Sequence, residues 1–166
     1  MVPDPADGPV VSGDGIDPGT GLYGAEHFPV VVRQQVASAR RLLQPLSVVC
    51  FEVENDGGVP AAEALAAVAA VVLRTLRESD ASFRMADRRI VSVLEDTGEE
   101  GAVWAARRVR SALLAAPGGP RFTVSAGIAC YPEHALAADE LVGRAEAALA
   151  STLAAGRDRV EVASAG

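Results

Sequence analysis

The run Leu46–Glu54, LSVVCFEVE, constrains this chain more than any other stretch. Its first residues are continuously apolar and rich in β-branched side chains, and its last four alternate, as expected of a central strand that emerges at a sheet edge. Such a strand needs covering layers, and the next segment is suited to supply one. Leu65, Val68, Val72 and Leu76 recur at helical spacing, which predicts an amphipathic helix over Ala61–Glu78. SFRMA (82–86) and RIVSVLE (89–95) read as strands joined by a tight turn at Asp87 and Arg88. Val103, Ala106 and Leu113 mark a helix over Glu99–Leu114, and Gly118-Gly119-Pro120 separates it from the strand RFTVSAGIACY, 121–131. Leu141, Ala145, Ala148 and Thr152 predict a last helix over 137–153, stopped near Gly156, before a short strand DRVEV, 158–162. An earlier helix, Ala25–Leu43, carries Val32, Val36, Ala39 and Leu43 and is punctuated by Pro45. No internal repeat is present.

The predicted fold class is therefore α/β (α+β). A ferredoxin-like βαββαβ core with an antiparallel central sheet carries helices on one face, an extra N-terminal helix and a C-terminal α-β extension. With 166 residues, 49% of them hydrophobic, one such core is the natural size. Residues 1–16, rich in Pro, Gly and Asp, read as a flexible leader or linker, and 17–166 as the domain.

Charge narrows the function. A net charge of −7 opposes DNA, RNA or an anionic membrane as partner. All fifteen basic residues are Arg, so an anion site would use guanidinium forks or backbone N–H groups. The amino terminus lacks a signal-peptide pattern and no run is long enough to span a membrane, which points to the cytoplasm. Cys50 and Cys130 lie in apolar strands and are expected to be buried free thiols.

Five strings, DPGTGLYGAEHF (17–28), VVCFEVEND (48–56), RESDASFRMADRRI (77–90), TVSAGIACYPEH (123–134) and AEAALASTLAAGRDRV (145–160), together resemble a GGDEF domain, the nucleotidyl cyclase-like fold of diguanylate cyclases. The resemblance implies an enzyme family that joins two GTP molecules into cyclic di-GMP as a homodimer, using metal held by acids on the first core strand and in the signature hairpin. In that hairpin this chain has Ala86, Asp87, Arg88, Arg89 and Ile90. Glycines that let a backbone approach a nucleotide are missing, and Arg stands where an oxygen donor for Mg²⁺ is expected. Arg88 and Arg89, as neighbours on a strand, point to opposite sides and suit a solvated turn. Glu52 and Glu54 are expected to be strand-end acids facing solvent. Asn55 and Asp56 fall too early to read guanine, and Leu153 stands where relatives have a phosphate-contacting lysine. On this reading the domain is degenerate and is not an enzyme, with no catalytic residue, no metal and no cofactor.

Just ahead of the hairpin, Arg77 and Asp80 resemble the Arg-x-x-Asp motif of the family's inhibitory site for cyclic di-GMP. An Arg fork can donate to guanine O6 and N7 or to phosphate, and a carboxylate can accept from guanine N1–H and N2–H₂. Arg108 resembles the family's secondary arginine from a second protomer, with Arg107 and Arg110 as neighbours able to substitute. The expected function is a cyclic di-GMP receptor in a signalling regulator, with a homodimer or a signalling protein as partner. The alternative is a nucleotide-independent dimerisation or protein-interaction module. His27 and His134 have no acid or cysteine at ligand spacing, and Trp104 is expected simply to contribute to packing.

Overall fold

The computed structural model describes residues 15–55, 57–86, 88–116 and 122–165. The leader up to residue 14, Asp56, Asp87 and Gly118-Gly119-Pro120 lie outside the described residues. A two-residue strand β1, Tyr23–Gly24, leads through a short 3₁₀ turn into α1, Phe28–Leu42. Then follow β2 (Leu46–Glu54), α2 (Ala61–Thr75), β3 (Ala81–Arg84), β4 (Arg89–Glu95), α3 (Glu99–Leu114), β5 (Thr123–Tyr131), α4 (Ala138–Ala154) and β6 (Val160–Val162). The six strands form one sheet in the order β1-β3-β4-β2-β5-β6.

The ferredoxin-like core is present as expected: β3, β4, β2 and β5 pair antiparallel throughout. Parallel strands extend both edges, β1 on β3 and β6 on β5. The β5–α4–β6 segment is a crossover unit, and a helix between adjacent strands forces them parallel.

One expectation is corrected here, because helices cover both faces of the sheet. Val49, Phe51 and Val53 of β2 pack with α2 and α3, whereas Leu46, Val48 and Cys50 pack with α1 and α4. The cause is β2 itself, whose nine residues are all buried, so each face needs its own layer. Phe51, Leu65, Ile90, Leu94 and Ile128 are almost completely shielded, each worth about 1.5–3 kcal/mol of apolar burial. Among the described residues no helix is long and apolar enough to cross a membrane.

The elements differ from their predicted bounds mainly at chain reversals. α1 stops at Leu42, and Leu43 turns left-handed (φ 55°) while its N–H and that of Gln44 reach back to the last carbonyls of the helix. Leu43 is thus 92% exposed rather than part of the apolar face. α2 stops at Thr75 because Leu76 is extended. Gly15, read from composition as leader, accepts from the Gly24 N–H, and Ile16 bridges Tyr23.

Both cysteines are buried free thiols, as expected. Burial pushes Cys50 up to about 12 and Cys130 up to about 11.

Gly127 sets the distance between β5 and α4. A Cβ there would collide with the Leu149 backbone N and the Ala145 carbonyl O of the helix. Backbone cannot yield as a flexible side chain does, so Gly127→Ala is expected to cost at least the upper part of the roughly 1–3 kcal/mol typical of overpacking. Urea denaturation of the two proteins measures it; an unchanged midpoint would refute the close approach.

Candidate functional site

The corner between α2 and β3 is built from the backbone outward. Arg77 and Asp80 bracket a turn in which the Asp80 N–H donates to the Arg77 carbonyl at 3.0 Å. The Asp80 carboxylate closes the ring, Oδ2 accepting from the Arg77 N–H at 3.0 Å, while Oδ1 accepts from the Glu95 N–H at 3.1 Å. One carboxylate therefore ties the α2–β3 turn to the end of β4. The Arg77 side chain reaches the same place, its Nη2 donating to the Glu95 carbonyl at 2.6 Å and to Thr97 Oγ1 at 2.7 Å. Ser47 Oγ, at the start of β2, donates to the Thr97 carbonyl at 2.7 Å and holds this second turn against the sheet.

The two motif residues consequently have unlike surroundings. The Asp80 side chain is 4% exposed and the Arg77 side chain 59%. Their direct ion pair is long, 3.7 Å, and with one partner in water contributes only ~0–1 kcal/mol. Arg77 lies beyond the end of α2, not in its last turn, and Asp80 is an anchor rather than a projecting acceptor.

A cavity of about 330 Å³ opens at this corner, lined by Arg77, Asp80, Asp96, Thr97, Gly98, Gly101 and Trp104 among others. Trp104 also borders a shallower cavity of about 790 Å³ along the outer face of α3, with Glu99, Glu100, Val103, Arg107, Arg108 and Ser111. The expectation of a packed Trp104 is corrected: it stands 59% exposed. Ala102, Ala105, Ala106 and Val109 take the buried face of α3, which leaves Trp104 on the other. The Arg108 guanidinium lies over the indole, 5.2 Å from the ring centroid. Arg107 and Arg108 thus share a face with Trp104. Arg110 does not: its Nε donates to Asp158 Oδ1 at 2.8 Å, and that bond raises its pKa further.

The hairpin lies at the other end of β3 and β4. Ala86 and Arg88 are exposed there, Ile90 is buried in the core, and Asp87 lies outside the described residues. The Arg89 N–H donates to the Ala86 carbonyl across the turn. The expectation for the strand acids is corrected. Glu52 is 8% exposed and accepts from Arg89 Nε at 3.2 Å. Glu54 is also buried; its Oε1 accepts from Thr123 Oγ1, Ser125 Oγ and the Asp158 N–H, with Arg157 Nε 4.0 Å from Oε2. Glu52 lies between Arg89 of β4 and Ser125 of β5, whereas Glu54 is paired with β5 alone and is enclosed by Ser125 and the Arg157–Asp158 turn. Asn55 folds its amide back on Val59 and Gly57, shaping the following loop. Leu153 packs beside the α1–α4 layer.

Among the described residues no three His, Cys, Asp or Glu side chains gather as a metal ion requires. A divalent cation at Glu52 would meet the Arg89 guanidinium, so these side chains as placed do not fit one. His134 is not isolated: buried, it accepts the Cys130 N–H at Nδ1, and its Nε2 lies 3.7 Å from Glu99. Sequence reasoning missed the buried Asp17, which receives Arg84 Nη1 at 3.1 and 3.3 Å and the Thr20 hydroxyl at 2.6 Å. The signal available was the Asp-Pro-Gly-Thr-Gly turn, whose Asp carbonyl accepts from the Gly21 N–H.

The sequence profile of the family described as "Diguanylate cyclase, GGDEF domain" matches residues 15–159. Diguanylate cyclase DgcP of Pseudomonas aeruginosa is 33% identical over 159 residues, which span 89% of this chain and 24% of that protein. The chain spans about a quarter to two-fifths of the length of the curated relatives it matches. Two solved GGDEF domains share the fold. That of DgcB from Caulobacter crescentus, in complex with c-di-GMP, has a TM-score of 0.80 at 17% identity, covering 92% of this chain and 95% of that one. That of TpbB (YfiN) from P. aeruginosa has a TM-score of 0.79 at 21% identity, covering 90% and 94%. These matches correct the reading of the chain as a non-enzyme: the matching profile is that of diguanylate cyclases, and the relatives are named as such.

Asp80 is the residue whose loss should be felt most in stability at this corner. Asp80→Ala leaves the N–H groups of Arg77 and Glu95 without their acceptor and is expected to cost about 1–3 kcal/mol. Thermal melts compare it with Arg77→Ala, which deletes an exposed side chain and is expected to cost less; equal losses would contradict the assignment of Asp80 as anchor.

Proposed function

This chain belongs to the GGDEF-domain family of diguanylate cyclases, and we propose that in it the α2–β3 corner is a receptor site for cyclic di-GMP. One observation carries the reading: Arg77 is held at the mouth of a cavity of about 330 Å³ by two acceptors on the neighbouring turn. A guanidinium whose rotamers are already restricted loses less freedom when it binds, and among the described residues its Nη1 has no protein acceptor. That edge is left to donate to guanine O6 and N7 or to a phosphate oxygen. Asp80 acts behind it, holding the Arg77 backbone in register. Arg108, on the same face through Trp104, is the third contact, from the same chain or from a second copy in a homodimer. The fold likeness to a GGDEF domain solved with c-di-GMP supports the choice of ligand.

Isothermal titration with cyclic di-GMP tests this. The unmodified protein is expected to bind, and Arg77→Ala to bind at least tenfold more weakly, a loss of about 1.4 kcal/mol. No heat from the unmodified protein would reject the receptor reading in favour of an interaction module that uses the fold without nucleotide.

A second reading, turnover of GTP, is favoured by the names of the relatives. Incubation with GTP and Mg²⁺ tests it separately. A cyclic dinucleotide product that disappears in Glu52→Gln would tie turnover to the strand acids, whereas unchanged GTP would leave binding at the corner as the domain's activity.

A further inference from the structure

Trp104 borders both the corner cavity and the cavity along the outer face of α3, and it stands away from the buried face of that helix. An indole with more than half its surface in water loses apolar burial, and the chain contains no other tryptophan. Its ring is already faced by the Arg108 cation. Across the smaller cavity stands Asp96, exposed and held left-handed at φ 46°. Aspartate is among the few non-glycine residues that tolerate that conformation, and its carboxylate is not consumed by any hydrogen bond among the described residues. Asp80, by contrast, holds a backbone N–H on each oxygen and has a side chain only 4% exposed.

From this arrangement we infer that Trp104 is the stacking platform for a guanine base at the corner, and that Asp96 rather than Asp80 accepts from the Watson–Crick edge of that base. The inference rests on the receptor reading and deepens it, naming what selects the base. Stacking on an aromatic face is indifferent to base identity, since every base has a π-face. Discrimination must come from hydrogen bonds, and guanine N1–H and N2–H₂ present two adjacent donors to a carboxylate, whereas adenine presents one, N6–H₂, beside the acceptor N1. Arg77 complements this by donating to the opposite, acceptor edge. Glu99 and Glu100 line the outer cavity beside Arg107 and Arg108, so the field there is mixed. That balance favours reading a base over gripping a phosphate by charge alone.

The sole tryptophan makes the test direct. Cyclic di-GMP is titrated into the protein while intrinsic emission and heat are followed in parallel. Saturable quenching is expected, with a midpoint matching the calorimetric one. Trp104→Ala is expected to weaken binding roughly tenfold, as for loss of one stacked base, whereas Trp104→Phe retains most of it. Asp96→Asn keeps the shape and tolerates the left-handed backbone, and is expected to bring the affinities for cyclic di-GMP and cyclic di-AMP close together. Because Trp104 is exposed, the melting temperature of Trp104→Ala should match that of the parent, which separates a lost contact from a lost fold. Heat of binding without quenching, together with unchanged affinity in Trp104→Ala, would overturn the platform and leave the receptor reading standing. Unaltered preference for guanine in Asp96→Asn would overturn its role in selection. Absence of binding by the parent protein would remove both readings together.

Discussion

The central strand β2 must be covered on two sides, and most of the architecture follows from that need. Its odd and even positions carry apolar side chains alike, and a strand period of two sends them to opposite faces. A single helical layer would leave Leu46, Val48 and Cys50 in water. α1 and α4 remove them from it, and Gly127 permits α4 to come close enough to do so. Strands flank β2 on both sides as far as Glu52, and the Arg157–Asp158 turn covers Glu54 beyond it, so both are enclosed although they are acids.

Those enclosed acids illustrate how charge is handled where the strand leaves the core. A buried carboxylate without partners would be costly, and each here is answered in a different way. Glu52 faces a guanidinium from the neighbouring strand. Glu54 is held mainly by hydroxyls and a backbone N–H, with Arg157 farther off. Arg89, which as a sequence symbol stands in a hairpin, is physically the partner of a strand acid.

The corner and the hairpin occupy opposite ends of β3 and β4. The corner is also stitched by side chains to backbone: Asp80 to two N–H groups, Arg77 to a carbonyl and a hydroxyl, Ser47 to another carbonyl. Such bonds fix the two turns relative to each other and give the exposed face of α3, with Trp104 and Arg108, a defined position beside Arg77. The corner is thus a pairing of two turns rather than a single motif.

Local periodicity was enough to place α3 and β4 at their observed bounds and to order the six larger elements of the core, whereas Arg77 and Asp80 were singled out by their resemblance to a family motif and not by spacing alone. It was enough because which residues share a face is a property of neighbours three or four apart in a helix and two apart in a strand. The partners of those faces were decided by the tertiary structure. Asp80 meets Glu95 across 15 residues, Arg77 meets Thr97 across 20, and Glu54 meets Asp158 across 104. No local spacing carries such pairings. For the same reason the exposure of Trp104, the enclosure of Glu52 and the second helical layer emerged only on folding: a residue's chemistry is written in the chain, but its solvent is set by what packs against it.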